Sequence, residues 1–184
     1  MEHSLTPGIS HRLRQGDPEA IESVVDAFHG PIYRYLVCRG STVPQAEELT
    51  AETFFQFLKS ISSFRGNDDQ IRAFVFSTAR HVRANSYRRS SKDACSLDTE
   101  IAMEDSRASP LSQLLTQERN TEVTRAIGCL SETAREVIIL RFVESLSVSE
   151  IAKVCDMPTG TVKSHLHRAR EQLKNQLSDS EPLT

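Results

Sequence analysis

The stretch SVSEIAKVCDMPTGTVKSHLHRAR, residues 147–170, most constrains the fold because a rigid break separates two helical patterns. Ser147 followed by Glu150 is a capping-box pattern, which predicts the start of a helix. Asp156-Met157-Pro158 ends that helix, since proline lacks an amide donor and restricts the residue before it. A second helix can then begin at Thr159. The stretch therefore predicts two short helices joined by a tight turn.

The second of these helices has one apolar stripe, formed by Val162, Leu166, Ala169 and Leu173. A different set of side chains lies off the stripe and is small, polar or cationic: Thr159, Thr161, Lys163, Ser164, His165, His167, Arg168 and Arg170. A helix with such a face fits the major groove of DNA, where these groups can bond base edges or phosphates. The alternative is an ordinary helical hairpin whose basic face is simply solvated.

The fold class predicted for the whole chain is all-α, because alternating β-branched runs and Asn-Gly or Asp-Gly hairpin turns are missing. The segment 90–113 is rich in Ser and acidic residues and reads as a flexible linker. We therefore expect a helical domain at 1–92, a linker at 93–113 and a helix-turn-helix domain at 114–184. Expected helices start at Asp17-Pro18, cover 31–40, run from Pro44 to Ser62 and from Ile71 to Arg89, and lie near 111–129, 132–143, 147–155 and 159–176.

Composition excludes several classes of protein. The net charge is −3, yet cations cluster locally, so the total does not exclude a nucleic-acid partner. No apolar run approaches the roughly 18 residues of a membrane span and the N-terminus lacks a signal-peptide core, so we expect a cytoplasmic protein. The four cysteines are scattered, which favours free thiols over a metal site. We expect no metal, no cofactor, no small-molecule substrate and no catalytic residues, since neither GxSxG nor a P-loop occurs.

A strongly basic helix precedes the linker. In IRAFVFSTARHVRANSYRRSSK, the face with Arg72, Arg80, Arg83 and Tyr87 differs from the apolar face, and Arg88, Arg89 and Lys92 follow. An unmixed cationic face with an aromatic residue suits a phosphate backbone and unstacked bases. The alternative is a solvated surface helix. Phe64 lies in the loop just before this helix, in a position to meet an extruded base.

The helix over residues 43–61 carries a phenylalanine on its polar side. Phe55 lies there with Glu48, Glu52 and Gln56, opposite the predicted apolar face. An exposed phenylalanine is costly unless something covers it. Two explanations remain open: contact with the first helix of the same domain, or a protein partner with basic residues.

Three segments together resemble the bacterial sigma factors of the extracytoplasmic-function group, over residues 17–177. AEELTAETFFQFL is similar to their core-polymerase-binding helix, and FRG followed by RAFVFSTARH and YRR is similar to the segment that opens the minus-ten element. LSETAREVIILRFVESLSVSEIAKVCDMPTGTVKSHLHRAR is similar to the domain that reads the minus-thirty-five element. The resemblance implies two all-α domains and a linker that threads toward the polymerase active site and RNA exit path.

The resemblance also implies site residues. The polymerase clamp helices would contact Glu48, Leu49, Glu52 and Gln56, beside Phe55. A flipped non-template base would be captured by the loop of Phe64, Arg65, Gly66 and Asn67, with Thr78, Arg80 and His81 lining that pocket or holding nearby phosphates. The groove of the minus-thirty-five duplex would be contacted by Thr161, Lys163, Ser164, His165 and Arg168. Asp156 departs from the family pattern, which has Gly at the turn.

The implied partners are core RNA polymerase, promoter DNA and an anti-sigma factor, which in this family is often membrane-anchored. The implied role is an alternative sigma factor for a stress response. The competing hypothesis is a stand-alone helix-turn-helix regulator, which would dimerise on paired half-sites. Comigration with core polymerase in gel filtration distinguishes the two hypotheses.

Overall fold

The computed structural model of the chain describes residues 6–94, 123 and 125–178. Within those residues the secondary structure is helical and no strand occurs. The predicted linker at 93–113 lies almost entirely outside the described residues. The helices with complete bounds are α1 (Ile9–Arg14), α2 (Pro18–Cys38), α3 (Val43–Ile61), α4 (Ile71–Ala94), α5 (Glu132–Ile138), α6 (Val148–Cys155) and α7 (Thr159–Ser178). Residues 125–128 are also helical, and the rest of the helix expected near 111–129 lies largely outside the described residues. We call α1–α4 the N-terminal bundle and α5–α7 the C-terminal bundle.

Helix α2 begins where the sequence predicts. The side chain of Asp17 accepts a hydrogen bond from the amide of Glu19 at 3.0 Å, and Pro18 occupies the first turn. The prediction of a separate helix over 31–40 was wrong, because α2 continues through Pro31 to Cys38. Proline costs about 3 kcal/mol inside a helix. Apolar residues on both sides of Pro31, such as Val24 and Ile32, are fully buried and offset that cost.

Helices α3 and α4 pack together and complete the core of the N-terminal bundle. Thr42 and Gln45 form a capping box at the start of α3. Phe57 and Phe76 are fully buried, and the Phe76 ring meets the Tyr35 ring edge-on at a centroid distance of 5.7 Å. This packing anchors α4 along the bundle.

Helix α1 has no counterpart among the sequence-based predictions. Its position depends on Asp68, whose carboxylate accepts hydrogen bonds from the amides of Gly8 at 2.6 Å and Ser10 at 2.8 Å. Hydrogen bonds from Ser10 lower the pKa of the Asp68 carboxyl. Ile9 and Leu13 are then buried in the bundle core. A contact between residues so far apart in sequence leaves no local signal.

The C-terminal bundle follows the predicted helix-turn-helix plan. Helix α5 is capped by Ser131, starts at Glu132 and is followed by a π-helical segment, Ile139–Val143. Ser147 and Glu150 form the predicted capping box of α6. The apolar stripe of α7 packs against α5, and the contact includes Leu130, Ala134, Ile138, Leu166, Ala169 and Leu173. The prediction of two helices around a tight turn is confirmed.

The two bundles are in direct contact. Helix α4 packs on α6, and α2 touches the π-helical segment that follows α5. One apolar cluster therefore runs from the N-terminal core to Val137, Leu140, Ile151 and Val154 in the C-terminal bundle. Over the described part of the chain, no helix is both long and apolar enough to cross a membrane.

Candidate nucleic-acid and polymerase interfaces

The predicted DNA-reading face of α7 is open to solvent. Val162 and Ala169 are 0% and 1% exposed, so the apolar stripe holds the helix against its neighbours. The Ser164 hydroxyl donates to the carbonyl of Gly160 at 3.0 Å, which leaves its oxygen lone pairs available. His165 is half-buried, and the remaining candidate side chains are exposed: Thr159, Thr161, Lys163, Ser164, His167, Arg168 and Arg170.

The turn between α6 and α7 sets the angle at which α7 is presented. Asp156 ends α6 in the left-handed region, with φ 52° and ψ 53°. Aspartate tolerates this region better than most residues, so it replaces the glycine expected from the family resemblance. The amide of Met157 donates to the carbonyl of Ala152 at 3.0 Å, and the amide of Val162 donates to Pro158 at 3.1 Å. These bonds hold the turn rigid without a glycine.

The loop before α4 is held in one shape by an aromatic stack. The Phe64 ring stacks on the Phe74 ring at a centroid distance of 4.7 Å and an interplanar angle of 25°. Gly66 lies against this stack, and a Cβ atom there would lie 2.3 Å from the Phe64 ring. Asn67 opens the short 3-10 turn at Asp68–Gln70 through a reciprocal cap with Gln70. The loop is therefore preformed.

Two residues that sequence reasoning missed help to hold this loop. Arg14 donates to the carbonyl of Gly66 at 3.3 Å, while Asp68 ties the loop to α1. Phe74, from the first turn of α4, supports the Phe64 ring by stacking on it. The FRG motif predicted the position of this loop. The side chains that hold the loop in place come from helices α1 and α4.

The basic side of α4 is divided between solvent and the C-terminal bundle. His81, Arg88 and Arg89 are exposed, whereas Arg72, Arg80 and Arg83 are partly buried. The Arg83 guanidinium lies 4.5 Å from the ring centre of Tyr87. The Thr78 hydroxyl donates to the carbonyl of Phe74 at 2.9 Å. The predicted minus-ten residues on α4 therefore share one helix but not one environment.

Acidic groups of the C-terminal bundle meet the partly buried arginines. Arg80 Nε lies 3.4 Å from Glu136 Oε2, and Arg83 Nη1 lies 3.3 Å from Glu132 Oε1. Arg72 donates to the backbone carbonyl of Glu144. Sequence reasoning did not single out these glutamates, because each meets its partners across more than 45 residues of chain.

The electrostatic environment of these groups follows from burial and pairing. Burial raises the pKa of Glu144, and Arg34 beside it reduces that rise without cancelling it. Burial also acts to raise the pKa of Glu132, but Arg39 and Arg83 outweigh it and the net pKa is lowered. Burial raises the pKa of Tyr35, with a further contribution from the charge of Glu136. The Tyr35 phenol therefore remains a hydrogen-bond donor at neutral pH.

The outer face of α3 presents acidic groups around one phenylalanine. Glu48 and Glu52 are exposed, and Glu52 Oε1 accepts a hydrogen bond from Gln56 at 2.6 Å. Phe55 is 52% exposed, and the Lys59 ammonium lies 4.4 Å from its ring centre. The explanation that the first helix of the same domain covers Phe55 was wrong, because Phe55 is exposed and α2 packs on α3 beside the neighbouring residue, Phe54. The phenylalanine remains available to a partner.

Leu49 differs from the other candidate polymerase contacts. It is 7% exposed and lies in the apolar cluster of the N-terminal bundle. Its position on α3 places it on the buried side, next to Thr50 and Thr53 in the helix. The structure therefore corrects the sequence-based assignment: Leu49 stabilises α3 and offers little surface to a partner.

The described residues contain no group of three or more metal-ligating side chains. Cys38 and Cys155 are buried free thiols, and burial raises their pKa to about 11 and about 12. Such thiols stay protonated at neutral pH and react slowly with oxidants. Cys129 is a free and exposed thiol, whereas Cys95 lies outside the described residues.

Comparisons with known proteins agree with the arrangement of helices and candidate surfaces. The model of sigma-70 region 2 matches residues 24–93, and that of sigma-70 region 4 matches residues 120–173. The RNA polymerase sigma factor YlaC of Bacillus subtilis is 30% identical over 173 residues, with 88% of this chain and 94% of YlaC covered. The ECF RNA polymerase sigma factor SigW of the same organism is 27% identical, with 91% and 94% covered.

A solved structure has the same fold. The sigma factor RpoE, crystallised with the anti-sigma factor NepR from Bartonella quintana, superposes with a TM-score of 0.66 at 22% identity, covering 87% of this chain and 98% of that one. The chain belongs to the sigma-70 family of RNA polymerase sigma factors, in the extracytoplasmic-function group. It is a sigma factor that binds core RNA polymerase and directs promoter recognition, promoter melting and transcription initiation.

Gly66 offers a direct test of the preformed loop. We expect Gly66→Ala to destabilise the protein by about 1–3 kcal/mol, because the new methyl group overlaps the Phe64 ring. The matched control is Gly30→Ala within α2, where no atom lies within 4 Å of the added methyl group. That control should stabilise the protein by about 0.5–1 kcal/mol. Urea unfolding of both variants measures the difference, and equal effects would contradict the assigned role of Gly66.

Proposed function

We propose that this sigma factor divides its work among three surfaces. Glu48, Glu52, Phe55 and Gln56 on α3 bind core polymerase. The loop at residues 64–67 and α4 bind the minus-ten element, and α7 enters the major groove of the minus-thirty-five element. The exposed face of α3 supports the first assignment, since interfaces are enriched in aromatic residues at their centre and polar at their rim, as Phe55 and the surrounding acidic groups would be.

The observation that carries this proposal is the preformed loop of Phe64 and Gly66 beside the basic side of α4. A stand-alone regulator needs α7 to read duplex DNA but has no use for an aromatic loop next to cations. Unstacked bases are held by aromatic stacking and by a cationic groove that follows the backbone. The combination therefore favours capture of a melted strand at the minus-ten element.

On this proposal, the chain performs no catalysis of its own and acts in the cytoplasm, where polymerase is located. Melting is driven by captured bases and polymerase contacts. The acidic segment at 93–113 would thread toward the active site and the RNA exit path. An anti-sigma factor would hold the protein inactive. RpoE, a protein of the same fold, was crystallised in complex with the anti-sigma factor NepR. In this group the anti-sigma factor is often membrane-anchored.

The function is tested by mapping transcription start sites. Purified core polymerase should start RNA chains at a defined set of genomic sites when this chain is added without its inhibitor. Those sites should share upstream and downstream sequence elements at a constant spacing. If no site responds, the proposed function is wrong.

The polymerase-binding face is tested by charge reversal. We expect Glu52→Lys to cost about 2 kcal/mol or more in binding to core polymerase, because it reverses an exposed charge beside Phe55. Stability should change little, since the residue is exposed. Glu47→Lys is the matched control: Glu47 is exposed on the same helix, and its position five residues before Glu52 puts it on a different side of that helix. Comigration in gel filtration and fluorescence anisotropy measure binding, and equal affinities for both variants would refute the assignment.

The duplex-reading face is tested at Arg168. If this residue makes a bidentate base contact, Arg168→Ala should weaken binding to the upstream element by about 1–3 kcal/mol and relax sequence preference there. Lys174→Ala removes the same charge at an exposed position further along α7 and serves as the control. Binding to matched and scrambled duplexes is the measurement. A loss that is equal on all sequences would mean that Arg168 contacts phosphate.

A further inference from the structure

The loop that joins α3 to α4 is supported by two different helices. From α4, the Phe74 ring stacks on Phe64 and also meets the Phe57 ring at a centroid distance of 5.6 Å. Phe57 is fully buried in the N-terminal bundle. A chain of aromatic contacts therefore connects Phe64 to the core.

The second support is α1, which lacks a side-chain cap of its own. Its N-cap residue is Gly8, in the left-handed region at φ 81°, and glycine has no side-chain acceptor. The first amides of a helix need acceptors from elsewhere. Asp68 supplies them, because its two carboxylate oxygens accept from the amides of Gly8 and Ser10 at 2.6 and 2.8 Å. A side chain from the 3-10 turn before α4 therefore caps α1.

The other end of α1 also reaches the loop. Arg14, the last residue of α1, donates from Nη1 to the carbonyl oxygen of Gly66 at 3.3 Å. A helix of six residues is about 9 Å long, so its two ends can hold neighbouring parts of one loop. Gly66 and Asp68 lie on either side of Asn67. The two attachments therefore fix the backbone before and after Asn67.

Apolar packing fixes α1 itself. Ile9 and Leu13 lie four residues apart on one side of the helix, and both are 0% exposed. They belong to the apolar cluster that forms the core of the N-terminal bundle. The hydrogen bonds of Asp68 and Arg14 connect the loop to this anchored helix. The position of the loop thus depends on α1 as well as on α4.

A fixed loop has a consequence for recognition of a base. Groups that are already in place bind without the entropy cost of ordering them. A base that fits the loop gains from this, whereas a base that does not fit gains nothing. Loosening the loop should therefore weaken binding of matched DNA and leave mismatched DNA almost unchanged. The preference for one base falls, while the phosphate contacts that supply general affinity remain.

We propose that α1 is a positioning helix for base capture, in which Arg14 and Asp68 hold the loop at residues 64–67 in the shape that selects a base. Neither residue touches the DNA on this proposal. It rests on the assignment of this loop to the flipped minus-ten base made above. If loss of one attachment leaves the loop in its competent shape about 10% of the time, matched DNA binds about tenfold more weakly.

The test measures base preference in the complex of core polymerase with this chain. The DNA is a labelled fragment of a mapped promoter with a duplex upstream element and a single-stranded non-template minus-ten strand. Each minus-ten base is replaced in turn, and the position read by the loop is the one whose preference Asn67→Ala weakens most. We expect Arg14→Ala and Asp68→Asn to lower the preference at that position about tenfold. A ratio of two dissociation constants from one preparation does not depend on the folded fraction, so a destabilised variant still gives an answer.

Two matched controls separate position from charge. Arg12→Ala removes the same charge from α1 as Arg14→Ala, but Arg12 pairs with Asp17 at 2.5 Å and not with the loop. Asp69→Asn removes the same charge as Asp68→Asn from the next residue, which is exposed. Both controls should keep the wild-type preference. Arg14→Lys, which keeps the charge and a donor, should retain most of it.

Three outcomes would overturn the proposal. The first is an unchanged preference in either Arg14→Ala or Asp68→Asn, and the second is an equal loss in the Arg12→Ala or Asp69→Asn control. The third is a loss in Arg14→Ala that is equal on all sequences and lowers the salt dependence by about one counterion, since Arg14 would then contact phosphate. Failure of the proposed function gives a different result. The wild type would then show no base preference that depends on Asn67, or would start no RNA chain.

Discussion

Helix α4 packs against both α3 and α6, and the rest of the structure depends on these two contacts. It packs on α3 through one side and on α6 through another. Ile71, Val75 and Ala79, spaced four residues apart on one side of the helix, are fully buried. Phe76 is also fully buried, although it shares its side of the helix with Arg80 and Arg83. Buried apolar groups and charged groups thus alternate along the side that meets the C-terminal bundle.

The packing of α4 against two neighbours explains why glutamates lie opposite it in the C-terminal bundle. An arginine at the edge of a packed interface must find an acceptor, because an unpaired buried charge is expensive. Glu132 and Glu136 supply acceptors to Arg80 and Arg83. These contacts satisfy the partly buried guanidinium groups within the chain.

The helix-turn-helix shows how strong local chemistry makes a fold predictable. The cap at Ser147 and the break at Pro158 act within a few residues, so their effects could be predicted without knowledge of the rest of the chain. The continuous helix through Pro31 shows the opposite case. A local rule favoured a break, and burial on both sides of the proline overruled it. Leu49 was misassigned because a family resemblance names positions without stating their burial.

The sequence by itself determined the helical class, the starts of α2, α3 and α6, the apolar stripe of α7, and the basic and acidic surfaces. All of these arise from residues within one or two turns of each other, where capping and periodicity act. Tertiary structure alone decided the position of α1 on Asp68, the stack of Phe64 on Phe74, and the pairing of Arg34 with Glu144. The members of each pair come from different elements, so their contact depends on how whole helices pack, which local patterns do not encode.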